Sequence, residues 1–291
     1  MTLFHLTPTH FRMTAQACAS LLLIFAVSCS SPEGPDADQE TPPGDTAEVT
    51  EPTGPTWAPL FNGKDMSGWT PKFSGFPLGE NVLDTFRVEN GLLRVSYDKY
   101  ESFDGRFGHL FFDGEFSNYD LRVVYRFVGD QCPGAPGWAR RNNGMMIHGQ
   151  RPETMALDQD FPVSIEAQML GESEGGGVRA NGSLCTPGTN VELGGKLDTR
   201  HCIPSEGPTN YGDTWVEMII EVRGNESIRH LVNGESVLEY GGPQLDERDK
   251  DAKVLLAAGA EVPLDRGTIS LQAESHGIDF KTIEILVLDE N

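Results

Sequence analysis

From Trp57 to the C-terminus, apolar and polar residues alternate in short runs broken by Gly, Asn, Asp and Pro. Successive side chains of an extended strand point to opposite sides, so alternation of period two predicts strands with one buried and one wet face. The runs FRVENGLLRVS, YDLRVVYRFV, NGMMIHG, VSIEAQML, VEMIIEVRG, SIRHLVNGESVLEY, TISLQAE and DFKTIEILVL all read this way. Two of them contain an Asn-Gly pair, Asn90-Gly91 and Asn233-Gly234, which suits tight hairpin turns because both residues tolerate positive φ. No segment sustains a long helical period, and only LDERDKDAKVLLAAG is expected to form a short helix. Many short strands at regular spacing predict an all-β sandwich or barrel, one domain over residues 57–291.

The start of the chain follows another pattern. Arg12 precedes the apolar run ACASLLLIFAV, Ala17 to Val27, which has signal-peptide length and is too short for a stable membrane span. AVSC resembles a bacterial lipobox, with Ala26 where Leu is commoner, so residues 1–28 are read as a lipoprotein signal peptide and Cys29 as the lipidated residue. Ser30, rather than Asp, after that cysteine points to the outer membrane as the destination of an exported protein. Residues 29–56 are rich in Pro, Gly, Thr and acid and nearly lack large apolar side chains, so they read as a disordered tether.

Charge narrows the partners. The chain has 22 basic and 44 acidic residues, a formal charge of −22, and seven of the acids fall in the tether. A domain this acidic is a poor partner for nucleic acid or anionic headgroups, which leaves neutral sugars or cations, and the membrane only through the lipid anchor. Past the leader, the cysteines are Cys132, Cys185 and Cys202. Export predicts one disulfide and one leftover thiol. Cys185 and Cys202 enclose TPGTNVELGGKLDTRH, a stretch without obvious regular structure, and are the favoured pair. No spacing suggests a zinc site.

Candidate chemistry comes from polar rows on the strand faces. In VSIEAQML, Glu166 and Gln168 share one side while Ile165, Ala167 and Met169 take the other; in GTISLQAESH, Gln272, Glu274 and His276 oppose Ile269, Leu271 and Ala273. Such rows occur where one sheet face packs on a core and the other lines a wet groove. In NGMMIHG, His148 shares a side with Met146, and Asn143 stands in the same run. His201 and Arg200 lie in the segment enclosed by the favoured disulfide, as a candidate rim; Trp138, in a Gly/Pro loop, is a candidate for stacking on a pyranose face. His109 reads as structural.

LFNGKDMSGWT, NNGMMIHG, VSIEAQMLG, GDTWVEMIIEVRGNESIRHLVNGESVLEY and GTISLQAESHGIDFKTIEIL, in that order, resemble the successive motifs of the 3-keto-disaccharide hydrolase domain, also known as bacterial domain of unknown function 1080. The resemblance covers nearly all of residues 57–289. It implies a concanavalin A-like jelly-roll sandwich of two antiparallel sheets and cleavage of glycosides bearing a ketone at sugar carbon 3. A conventional glycosidase needs two carboxyl groups across the scissile bond, and Glu166-Ala-Gln168 lacks the second on its own strand, although Glu274 could supply it from another. A 3-keto sugar offers elimination instead. A base removes the acidified hydrogen of carbon 2, the glycosidic oxygen leaves carbon 1, and water adds back. Glu166, Glu274, His148, His276 and His201 are the expected acid–base residues, with Gln168, Gln272, Arg200, Trp138 and Asn143 contacting substrate. Arg200 or a divalent metal would stabilise the enolate; no metal ligand set is assigned. The competing readings are a lectin-like carbohydrate-binding module and a conventional glycoside hydrolase.

Overall fold

The computed structural model describes residues 56–288, so the expected leader, Cys29 and nearly all of the tether lie outside the described residues. The described chain forms two antiparallel sheets. The smaller has seven strands, in spatial order β12 (Cys202–Ile203), β9 (Leu184–Cys185), β8 (Ile165–Leu170), β7 (Asn142–Gly149), β16 (Gly267–Ala273), β5 (Gly108–Phe116) and β2 (Trp69–Phe73). The larger runs β11 (Lys196–Asp198), β10 (Thr189–Leu193), β15 (Glu235–Leu245), β14 (Ser227–Val232), β13 (Val216–Arg223), β6 (Asn118–Gln131), β17 (His276–Val287), β4 (Leu92–Val95) and β3 (Phe86–Glu89), and β1 (Ala58–Pro59) also pairs with β17.

The alternation places the core. Leu121, Val123 and Tyr125 of β6, Met218, Ile220 and Val222 of β13, and Ile278 and Phe280 of β17 are buried in one apolar cluster with Met145, Ile147, Ile165, Ala167, Leu110 and Leu271 of the smaller sheet. The two inner faces thus enclose a single core, as in a jelly-roll sandwich. Both Asn-Gly pairs make their hairpins, with φ of 53° and 77° at Asn90-Gly91 and 50° and 86° at Asn233-Gly234. The helix α1 spans Lys250–Ala257, and the side chain of Asp249 caps it by accepting from the amides of Asp251 and Ala252. The outer face of the smaller sheet is covered by its own connecting loops, and the polar rows lie under that cover.

Candidate active site

Glu166 belongs to β8, whose Ile165, Ala167 and Met169 enter the core, so its carboxyl projects from the outer face. On β7, Met146 stands opposite both Glu166 of β8 and Ser270 of β16. Gly144 and Gln168 pair in the next rung, and Gln272, two residues beyond Ser270, falls beside them. Gly144 lets Glu166 lean along that rung: a Cβ there would lie 2.5 Å from Glu166 Oε1 and 2.6 Å from its Cγ. Glu274 prolongs the row of Ser270 and Gln272 just past the end of β16. There the row stops. Ser275 adopts φ 97° and carries the chain to the other sheet, where His276 opens β17 opposite Gln131.

Above this face lies a cavity of about 430 Å³ lined by Glu166, Glu274, Gln168, Asn142, Arg179 and Trp138. The Cys185–Cys202 disulfide, exposed His201 and Phe161 complete its wall. The disulfide joins β9 to β12 at directly paired positions, and Cys185 is in turn opposite Glu166. Cys132 is left as a buried thiol. Trp138 is 54% exposed and lies nearly parallel to Phe107, with ring centroids 6.0 Å apart, so one of its faces is free for a flat ligand.

Electrostatics make this wall unusual. Burial pushes the Glu166 carboxyl up to about 8, with the Gln272 amide working in the opposite direction. Glu274 is pushed well above the carboxylate range by burial and then by Glu166 beside it, with Arg179 opposing. Arg179 donates to Arg140 O at 2.5 Å and Trp138 O at 3.3 Å, so one guanidinium ties the Trp138 loop to the carboxyl pair. Glu166 Oε1, Glu274 Oε2, Asn142 Oδ1 and both amide atoms of Gln272 are buried without a protein hydrogen bond of ordinary geometry. Each such group costs about 1–3 kcal/mol if it stays unpaired. Several together would consume much of the ~5–15 kcal/mol stability of a domain, so the wall is suited to a polar ligand.

Four expected residues lie elsewhere. His148 has φ 47°, which turns its ring off the Met146 side, and its Nε2 donates to Gly224 O at 3.0 Å in the β13–β14 turn. Arg200 is exposed, forms an ion pair with Asp198 at 2.6 Å, and is not part of the cavity wall. His276 meets Phe127 edge-on, 5.7 Å between centroids, apart from Glu166 and Glu274. Asn143 is also displaced: it has the inward parity of Met145, and its Nδ2 donates to Gln272 O at 2.8 Å, which leaves Asn142 on the wall. Residues that alternation did not reveal are Arg179 and Phe161, both in irregular loops, and His109, which pairs with Gln272 on the outer face. Among the described residues, the grouping close enough to suit a metal is Cys185, His201 and Cys202, but two of its donors are bonded to each other in the disulfide.

By fold and site the described chain is a two-sheet β-sandwich whose loops close over a carboxyl-lined, aromatic-rimmed cavity, and its family model is that of a carbohydrate-active domain. More narrowly, the chain belongs to the 3-keto-alpha-glucoside-1,2-lyase-like domain family, whose model matches residues 56–286. No curated protein matches it. Among solved structures it is similar to two from Parabacteroides distasonis ATCC 8503 assigned as glycosyl hydrolases, each 18% identical. One has TM-score 0.46 and coverage of 80% of this chain and 94% of that one; the other has TM-score 0.47 and coverage of 80% and 100%. It is also similar to the carbohydrate binding module CBM66 from Bacillus subtilis, at 7% identity, TM-score 0.37 and coverage of 74% and 93%.

Proposed function

We propose that the protein cleaves 3-keto glycosides by elimination across carbons 1 and 2 of the oxidised sugar. The observation that carries this reading is the Glu166–Glu274 pair, two carboxyl groups buried in one cavity wall and both pushed upward, with Arg179 facing Glu274. A conventional retaining glycosidase uses a carboxylate of ordinary low pKa as its nucleophile, whereas both carboxyls of this wall are pushed upward towards the range that suits a base and an acid. Elimination needs a base whose pKa lies near the working pH and an acid that keeps its proton until the leaving group departs. Glu166, pushed to about 8, suits the base. Glu274, held protonated by burial and by Glu166, suits the acid.

In the step, Glu166 takes the hydrogen of carbon 2 and the electron pair spreads onto the ketone oxygen as an enolate, which Arg179 stabilises. As the pair returns to form the bond between carbons 1 and 2, the glycosidic carbon–oxygen bond breaks and Glu274 protonates the departing alcohol. Trp138 offers the stacking face and Gln168 and Asn142 the hydrogen bonds that hold the ring. On the same reading the protein is exported and lipid-anchored through Cys29, with the outer membrane as its destination.

The test is hydrolysis or elimination of a panel of 3-keto glucosides beside their unoxidised parents. Turnover of the keto substrates alone, lowered about 10²–10⁴-fold in Glu166→Gln and in Glu274→Gln, is expected. Binding of either set without turnover would make the protein a lectin-like module, and equal turnover of the parents would make it a conventional glycosidase.

A further inference from the structure

Ser275 is where the chain leaves the smaller sheet for the larger, one residue after Glu274 ends its row, and it makes the turn with φ 97°. A positive φ is uncommon for a residue with a Cβ and persists only where the surroundings over-determine it. Here they do. The Ser275 amide donates to Tyr97 Oη at 2.8 Å, its carbonyl accepts from the Cys132 amide at 2.8 Å, and its hydroxyl accepts from Gln131 Nε2 at 3.0 Å. Tyr97 stands two residues past β4, Gln131 closes β6 and Cys132 follows it, so all three contacts come from the larger sheet or the residues just past its strands. The Tyr97 ring is buried and is itself fixed edge-on against Tyr100 and Phe103, with centroids 5.0 and 6.1 Å away. The same Gln131 Nε2 also donates to Pro136 O at 2.9 Å, at the start of the Trp138 loop.

We propose that Tyr97 and Gln131 are positioning residues for Glu274, clamping Ser275 in the backbone conformation that points the acid into the cavity. The inference rests on the acid role given to Glu274 above. Glu274 Oε2 has no hydrogen-bond partner of its own, so the backbone that carries it decides where the carboxyl lies. With a negative φ at Ser275 the chain would leave β16 in another direction, and the carboxyl would swing off its place beside Glu166. Tyr97 and Gln131 act from behind. They line a second cavity, of about 540 Å³, and no residue lines both it and the cavity that holds Glu274. Substrate in the active cavity therefore touches neither of them, and their effect on the acid passes through Ser275.

The leaving group separates positioning from folding. A 4-nitrophenyl 3-keto-α-glucoside loses its aglycone without an acid, whereas the methyl 3-keto-α-glucoside needs one. In Tyr97→Phe and in Gln131→Met, kcat on the methyl glycoside is expected to fall about 10–10²-fold, and on the 4-nitrophenyl glycoside by no more than about threefold. Gln131→Met should raise KM as well, because its amide ties the Trp138 loop. Adding Ser275→Gly to Tyr97→Phe should restore most of the loss, since glycine takes positive φ without a steric penalty.

A second readout needs no turnover. In carboxyl NMR of the substrate-free chain, the glutamate resonance that Glu274→Gln removes should titrate well above the ordinary carboxylate range in wild type, where Glu166, Arg179 and Tyr97 face it. In Tyr97→Phe it should move down towards that range, as the carboxyl leaves burial and the Glu166 charge. Where wild type turns over both glycosides, equal losses on the two, or none, would overturn the proposal. Whatever the activity, so would a resonance that titrates unchanged in Tyr97→Phe. A lowered titration in a protein that cleaves neither keto glycoside would keep the clamp and remove the acid role of Glu274.

Discussion

Gly144→Ala tests whether the Glu166 carboxyl is placed for chemistry. Gly144 sits on β7 in the rung over which Glu166 leans, and its φ is not in the left-handed region, so the backbone accepts alanine. The new Cβ would stand 2.5 Å from Glu166 Oε1, 2.6 Å from Cγ and 2.9 Å from Cδ. Carbon contacts settle at about 3.5–4.0 Å, so the carboxyl must retreat by about 1 Å. A misplacement of that size costs on the order of 10²-fold in rate, whereas overpacking costs the fold about 1–3 kcal/mol. The expected result with a 3-keto glucoside is a kcat about 10²-fold lower and a KM changed far less, because Trp138 and Arg179 are untouched. Gly137→Ala, at a position where a Cβ meets nothing within 4 Å, is the control and should behave as wild type. Near wild-type kcat in a folded Gly144→Ala protein would refute the placement of Glu166 at the reacting carbon.

Two further outcomes follow from the same wall. The Glu166 pKa is raised from 4.5 to about 8 on folding, so its contribution to stability is fully present below about 4.5 and is lost as pH rises through about 8. Glu166→Gln should therefore gain on wild type as pH goes from 5 to 8, and melting curves at the two pH values that shift in parallel would refute the buried carboxyl. Breaking the Cys185–Cys202 bridge, which closes a sequence separation of 17, with Cys185→Ser and Cys202→Ser together should cost about 3 kcal/mol in denaturant unfolding and raise KM, since the bridge forms part of the cavity wall.

The strands and the carboxyl pair were legible in the sequence for one reason: both obey period two. Ile165, Glu166, Ala167 and Gln168 alternate in the chain as they alternate across the sheet, and so do Ser270 to Glu274. The errors begin where the period is broken by backbone that local pattern does not record. His148 lies within a run that reads as regular strand, yet its φ of 47° accompanies a register shift between β7 and β16. Ser275 does the same to His276, and neither position is a glycine that would have announced it. Arg179 and Phe161 belong to loops, where no periodicity exists, and only the folded chain brings them over the sheet.

The same break also gives the site its character. Had the row run on through His276, an imidazole would stand beside Glu274 and the pair would hold its proton less firmly. Instead the turn at Ser275 sends His276 to the other sheet and leaves Glu274 between Glu166 and Arg179, so the cation that opposes its burial comes from a loop that also holds Trp138 in place. A movement of that loop would therefore alter the stacking face and the proton affinity of the acid together. Substrate stacked on Trp138 should settle the loop, and with it the position of Arg179 beside Glu274. On the proposed reading one guanidinium would couple binding to protonation, a link that alternation could not have shown because it joins a strand end to two loops.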